Sequence, residues 1–346
     1  MKDMKDLGYR KQTSAASFLS PFESWARKEL LIEERFDETT GVASRILPFR
    51  SHPAQKPDIK SYLEKSPESM CPFCPQSLEQ ITPRFETGII REGRFRRGDA
   101  CLFPNAFPYD QSSSVAVFSP RHFVPMEELS PELMRDGFAV CIDYFRRIAE
   151  LHKDVRYCSI NWNYMPPAGG GLIHPHLQTI AGAKPTGFMD RLISGARKYA
   201  EAHGGACLWE DLVEYEKKAG ERFIADTGSI FWLAPFSPKG MAGEVDFIFK
   251  GISSIFDIGD AVLGELLAGL SKVFAFLAGK NYISFNMALY AAIRGGDNLW
   301  VQGKIVPRLE LNALGTSDLN YFEKLHDEII CLVMPEQLCG ELKALF

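Results

Sequence analysis

Gly169-Gly170-Gly171-Leu172-Ile173-His174-Pro175-His176-Leu177-Gln178 is the stretch whose reading decides the fold. Three glycines let the backbone turn and approach a ligand closely, and the residues after them read as a strand. Side chains alternate along a strand, so His174, His176 and Gln178 share one face while Pro175 and Leu177 share the other. Two imidazoles and a carboxamide behind a glycine loop suit a phosphate, because a near-neutral imidazole serves as nucleophile or metal ligand. Only seven histidines occur among the 346 residues, so a pair this close is not scatter.

Upstream, Tyr157 to Asn163 reads as a strand. It follows a helix that begins at the capping Ser130 with Pro131 in its first turn. That helix runs to about Lys153, with Met134, Phe138, Cys141, Phe145 and Ile148 on one apolar face. Ser114 to Phe118 reads as a buried strand that ends in Ser119-Pro120-Arg121-His122. Before it, the bend Pro104 to Pro108 displays Asn105 and Phe107, and Phe85 to Arg97 suggests a hairpin turning at Glu92-Gly93. Cys71-Pro72-Phe73-Cys74 is a knuckle whose two thiolates can bind one metal. A lone CxxC is equally compatible with a redox pair or with no chemistry, and further metal ligands have to come from elsewhere, with histidines the natural supply. The first residues predict a short helix around Phe22 to Leu31, a strand-like run from Gly41 to Phe49, and a proline-rich connector from Ser51 to Asp58.

Downstream, Gly187 to His203 and Leu208 to Ala219 predict two helices that link two halves. The second half repeats the order of the first: strand, long helix, strand, glycine turn, strand. Val245 to Phe249 matches Val115 to Ser119, Asp257 to Lys280 matches the Ser130 helix, and Ser284-Phe285-Asn286 matches Ser159-Ile160-Asn161. Gly295-Gly296 matches the glycine loop, and Leu299 to Gly303 falls where Leu172 to His176 stood. Ile252, Val301 and Gly303 then stand where His122, His174 and His176 were, so the chemistry belongs to the first half. Leu319 to Phe346 reads as a closing helical region.

A hydrophobic content of 46% is that of a globular protein with a full core, and the length accommodates two domains. A net charge of -5 argues against a nucleic-acid partner. Ala261 to Gly279 is the nearest thing to a membrane span. Glu265 and Lys272 interrupt it, and Leu263, Leu266, Leu267, Leu270, Phe274 and Leu277 recur at helical spacing, so a buried helix and no membrane are expected. Met1 to Asp6 is charged and lacks the apolar core of a secretory signal, so a cytoplasmic protein is expected.

Taken together, Cys71-x-x-Cys74, His122, Asn163 and His174-Pro175-His176-Leu177-Gln178 resemble the galactose-1-phosphate uridylyltransferase-like branch of the histidine-triad (HIT) superfamily. The matching is clearest from Cys71 to Gln178. The resemblance implies an α+β fold of two tandem HIT-like domains, each an antiparallel half-barrel sheet with a long helix packed on it. The catalytic domain with the zinc knuckle would span residues 1–185 and a degenerate copy residues 186–346. Carried over by position, the resemblance makes His176 the nucleophile, with Gln178 on a phosphate oxygen. Cys71, Cys74, His122 and His174 become zinc ligands, and Ile81, Asn105, Phe107, Val115, Asn163, Gly169, Gly170 and Gly171 surround the nucleotide. Two thiolates and two imidazoles fill a tetrahedral shell, so the zinc is expected to be structural. Ala106 stands where these transferases carry an acidic residue, Gly171 replaces a serine, and the second half lacks their metal-binding His-x-His.

The activity implied is nucleotidyl transfer on nucleotide sugars and sugar 1-phosphates by double displacement through a nucleotidyl-histidine, in carbohydrate and galactose metabolism. Its partners would be a nucleotide sugar or nucleotide and a phosphorylated acceptor. The resembled enzymes often form homodimers. The same nucleophile also serves phosphorylases of ADP-sugars or dinucleoside polyphosphates, which adenine preference would reveal. A zinc-stabilised nucleotide-binding protein would bind without forming product.

Overall fold

The computed structural model describes residues 6–50, 58–296, 298–312 and 314–346. The chain opens with β1 (Tyr9–Ser20), β2 (Ala26–Asp37) and β3 (Val42–Ile46), then α1 (Ile59–Lys65) and α2 (Pro75–Ile81). The first half continues with β4 (Phe95–Arg97), β5 (Ala100–Pro104), β6 (Ser112–Val117), α3 (Pro131–Leu151), β7 (Tyr157–Tyr164) and β8 (His176–Gly182). After α4 (Gly187–Ala202) and α5 (Leu208–Ala219) come β9 (Phe223–Asp226), β10 (Ile230–Leu233), β11 (Val245–Phe249), α6 (Asp260–Gly279), β12 (Ser284–Ala292) and β13 (Gln302–Arg308). α7 (Tyr321–His326), β14 (Glu328–Cys331) and α8 (Pro335–Lys343) close the chain.

Ten strands form one sheet in the order β4-β5-β6-β8-β7-β12-β13-β11-β10-β9. Read inward from either edge, the two halves have the same order, with β4, β5, β6, β8, β7 answered by β9, β10, β11, β13, β12. Antiparallel pairing of β7 with β12 joins them, Trp162 lying opposite Met287. α3 begins at Ser130, whose hydroxyl accepts from the Leu133 N–H, and packs across β4, β5, β6 and β8. α6 packs beside it, and Leu263, Leu266, Leu270, Val273, Phe274 and Leu277 are buried in the same core, so this apolar helix is an interior element. The fold is therefore α+β, with a long helix on each antiparallel half.

The strand register corrects the internal alignment by one residue. Val117 faces His176 across β6 and β8, and Asp246 faces Lys304 across β11 and β13. Ile160 faces Thr179, and its match Phe285 faces Pro307. Thr179 thus answers Pro307, and three residues back His176 answers Lys304 and not Gly303. A one-residue slip moves a side chain to the other face of a sheet. Gly303 is on the core face, where a Cβ would lie 2.1 Å from Phe247.

Three other expectations change. Phe22 to Leu31 is not a helix: Ser20-Pro21-Phe22-Glu23 turns, and Ala26–Asp37 pairs with β1 from end to end. Lys28-Glu29-Leu30-Leu31-Ile32-Glu33 consists mostly of good helix formers, and pairing with β1 along the whole strand overrides that local propensity. The closing region is not all helical, since β14 adds in parallel to β3. The hairpin expected over Phe85 to Arg97 is confined to β4, which pairs with β5; Phe85 N–H instead closes a loop onto Gly93 O at 2.9 Å. Most of the connector Ser51 to Asp58 lies outside the described residues, apart from Asp58, which caps α1.

Candidate active site and metal centre

The knuckle is an extended turn. Cys74 precedes Pro75, the first residue of α2, and the Ser77 and Leu78 N–H groups both donate to Cys74 O, which orients the buried Sγ. His122 follows the turn after β6, and His174 sits two residues before β8 begins. Their donor atoms, with Sγ of Cys71 and Cys74, all lie within 4.8 Å of one another. Cys74 Sγ is 3.3 Å from His122 Nδ1 and 3.5 Å from His174 Nδ1, and Cys71 Sγ is 3.6 Å from His174 Nδ1.

The far nitrogen of each ring fixes which one can face a metal. His122 Nε2–H donates to Ser66 O at 2.7 Å and His174 Nε2–H to Ser119 O at 2.8 Å. In these tautomers both Nδ1 lone pairs point into the cluster, as backbone-anchored metal-binding histidines do. Burial pushes His174 down to about 4, so its ring is neutral, and burial together with the neighbouring Cys71 pushes the Cys74 thiol up to about 12. A divalent cation reverses that thiol shift by stabilising the thiolates. The donor set and its closed shell fit a tetrahedral zinc ion with no open position.

His176 opens β8, buried beside this cluster. Its Nδ1–H donates to His174 O at 2.8 Å, leaving the Nε2 lone pair as the reactive one. Burial lowers its pKa, and the carbonyl contact opposes this, so the ring is neutral near pH 7. Phe73, between the two cysteines, packs its ring 5.1 Å from His176 and 6.2 Å from His174. The knuckle thereby braces His176 as well as His174. Sequence reasoning passed over Phe73, although its place inside the CxxC was a signal.

Gln178 lies two residues along β8 on the His176 face, opposite Val115 and Asn161. His174, expected in the same strand, instead lies in the loop before it. Gly170 sits where a Cβ would meet Asn163 O at 2.7 Å and Met165 O at 3.0 Å, so only glycine fits. The Gly169 and Gly170 N–H groups are engaged by Pro166 O and Met165 O at 2.8 and 3.2 Å, whereas Gly171 is exposed with open space at its Cβ position. Asn105 Oδ1 accepts from the Phe107 N–H at 2.9 Å and holds that bend, with Phe107 exposed. Ile81 ends α2, also exposed. Neither Ile81 nor Phe107 makes a hydrogen bond or ring contact with His176 among the described residues.

Asn163 is held from the other half. Asn286 Nδ2 donates to Asn163 Oδ1 at 2.7 Å and to Ala168 O at 2.8 Å, while Arg308 Nη1 donates to Asn286 Oδ1 at 2.7 Å. Asp318 accepts from Arg308 Nε and Nη2. The sequence marked Asn286 only as a repeat of Asn161; the β7–β12 junction, invisible in a local motif, turns it toward the loop.

No family model matches the chain. It is 31% identical over 322 residues to an uncharacterized protein of Archaeoglobus fulgidus, covering 92% of this chain and 94% of that one. It is also 28% identical over 258 residues to the ADP-glucose phosphorylase of Arabidopsis thaliana, covering 67% of this chain and 70% of the plant protein. Among solved structures, the Arabidopsis thaliana ADP-glucose phosphorylase with bound ADP-glucose superimposes with a TM-score of 0.67 at 19% identity, covering 90% of this chain and 98% of that one. A uridylyltransferase structure superimposes with a TM-score of 0.64 at 20% identity, covering 90% and 98%.

Proposed function

We propose that this chain, which belongs to one family with the Archaeoglobus fulgidus protein and has the fold of the galactose-1-phosphate uridylyltransferase-like branch of the HIT superfamily, transfers nucleotidyl groups from sugar nucleotides through His176. The observation that carries this reading is the state of that ring: buried, neutral, tied by Nδ1–H to His174 O, with Nε2 free. An imidazole so fixed is a nucleophile that needs no separate base.

In the first half-reaction, His176 Nε2 attacks the α-phosphorus of the nucleoside diphosphate sugar. A P–N bond forms, the P–O bond to the β-phosphate breaks, and sugar 1-phosphate leaves with the electron pair. In the second, an oxygen of inorganic phosphate or of another sugar phosphate attacks the same phosphorus, the P–N bond breaks and His176 recovers its lone pair. The Gln178 carboxamide and the Gly171 N–H are the donors suited to the equatorial oxygens, where positioned charge stabilisation dominates phosphoryl-type transfer. Cys71, Cys74, His122 and His174 would hold the zinc ion, which would supply a structural anchor for the segment that carries His176. Asn105, Phe107, Val115, Asn163 and Ile81 are assigned to the nucleotide by position.

The similarity to ADP-glucose phosphorylase favours an adenylyl donor with phosphate as acceptor, hence an ADP-sugar phosphorylase. Intact-mass measurement at neutral pH after brief incubation with ADP-glucose or UDP-glucose tests both levels. An adenylyl adduct, discharged to ADP by phosphate and absent in His176→Ala, is the expected result. A uridylyl adduct alone would keep the nucleophile and replace the donor. Bound nucleotide with no adduct from either sugar would overturn transfer by this route.

A further inference from the structure

Asn163 stands where the two halves of the sheet meet. In β7 it pairs with Asn286 of β12. The β7–β8 register sets Asn161 opposite Gln178, and two residues further along both strands it brings Asn163 opposite His176. The Asn163 side chain therefore shares the face of His176 and Gln178. Opposite residues have Cβ atoms about 4.5–5.5 Å apart, so its carboxamide borders the place of the phosphorus that His176 is proposed to attack.

A carboxamide has a donor end and an acceptor end, and either end can face a ligand. Here two partners that cannot turn over remove the choice. The Arg308 guanidinium only donates, and its Nη1 is 2.7 Å from Asn286 Oδ1. The Ala168 carbonyl only accepts, and Asn286 Nδ2 donates to it at 2.8 Å. Asn286 thus has one orientation, and its other Nδ2 hydrogen goes to Asn163 Oδ1 at 2.7 Å. The free end of Asn163 is then Nδ2, which has no hydrogen-bond partner among the described residues, and the residue is only half-buried. Arg308 is itself fixed by the buried Asp318, whose carboxylate accepts from Nε, Nη2 and the Leu309 N–H.

We infer that Arg308 and Asp318, acting through Asn286, are positioning residues of the second half that fix Asn163 as a hydrogen-bond donor toward the phosphoryl oxygens of the sugar nucleotide. This rests on the reading of His176 as the group that meets the α-phosphorus. Phosphoryl oxygens are charged and only accept, so a donor attracts them, whereas Asn163 turned over would set Oδ1 against them. The relay therefore selects for a charged phosphate at this point of the site, and it does so from strands and loops that the local motif around His176 does not include.

Binding needs no turnover, so it separates this inference from transfer itself. Titration calorimetry takes ADP or UDP, whichever the parent protein binds more tightly, and compares it with the corresponding nucleoside. Asn286→Asp keeps the shape and pairs with Arg308 but offers no donor. Asn163 then turns over to give Nδ2 to the new carboxylate and presents Oδ1 to the ligand. The diphosphate should bind about tenfold or more weakly, the scale of one hydrogen bond to a charged oxygen, with nucleoside affinity and zinc content near the parent values. Arg308→Met with Asp318→Asn removes the fixed donor without stranding a buried carboxylate, and it decides the question if Asn286→Asp fails to fold. It should weaken the diphosphate severalfold and spare the nucleoside. Equal losses for diphosphate and nucleoside would reduce the relay to a brace and overturn the inference, as would an unchanged diphosphate affinity. A parent protein that binds no nucleoside diphosphate would overturn both the inference and the reading it rests on. Diphosphate-selective loss in a protein that forms no adduct would uphold the inference and end the transfer reading alone.

Discussion

The role proposed for His176 rests on a backbone contact. With Nδ1–H held by His174 O, the lone pair is confined to Nε2, and burial keeps the ring unprotonated at neutral pH. His176→Ala removes the only group proposed to form the covalent bond. It should abolish transfer while leaving zinc content and melting temperature near the parent values, and normal turnover in that variant would refute the assignment. Gln178→Ala should retain turnover at a rate about 10²–10³-fold lower, the usual effect of losing one transition-state donor. The spacing of His174, His176 and Gln178 made this chemistry legible, because a period-two pattern survives any uncertainty about where a strand starts. What the spacing could not convey is that His174 lies outside the strand, its ring anchored by the Ser119 carbonyl.

At the scale of elements, the knuckle and the β7–β12 junction hold the site from opposite sides. Cys74→Ser removes one ligand from a closed four-donor shell, so zinc content and thermal stability should fall together; unchanged values for both would refute the metal centre. Asn286→Ala acts from the other half by removing the donor to Asn163 Oδ1 and Ala168 O, two half-buried hydrogen bonds worth about 0.5–1.5 kcal/mol each. The loosened loop should show as a raised KM for the sugar nucleotide with intact zinc content, and a KM equal to the parent's would place Asn286 outside substrate positioning. Long periodic elements such as α3 and α6 were readable from their apolar faces because each buries one stripe. The β1–β2 hairpin was not: its apolar residues face no core, so no periodic contrast marks it, and Pro21 at a strand turn looks like Pro131 at a helix start. β14 was hidden for a related reason, since four residues that complete a sheet by pairing with β3, near the opposite end of the chain, carry no local signal of their distant partner.

Across the whole molecule, two halves of one topology diverge at matching positions. Where the first half has His176 opposite Val117, the second has Lys304 opposite Asp246, its ammonium 2.7 Å from Asp246 and 2.6 Å from Glu244. Burial opposes the charge on Lys304, but the two carboxylates outweigh it and raise the pKa, so the lysine stays a cation in the interior. Among the described residues Asp246 Oδ1 has no hydrogen-bond partner. Burial and the neighbouring Glu244 push the Asp246 carboxyl up against the pull of Lys304. Lys304 is thus the cation that holds the acidic pair, with Glu244 also accepting from the Lys239 N–H. A buried charge deprived of its partner costs about 3–5 kcal/mol, far more than the pair is worth against a well-packed apolar substitute. Lys304→Met should therefore lower unfolding stability by about 3–5 kcal/mol in urea. Replacing Glu244 and Asp246 by Gln and Asn in the same chain should recover much of that loss by removing the stranded charges. Because the cluster stands in the half without the proposed nucleophile, adduct formation on His176 at a temperature where the variant is folded should match the parent. Loss of the adduct with stability intact would instead give Lys304 a direct role in transfer, and the second half would then hold part of the active site and not only the strands that complete the sheet.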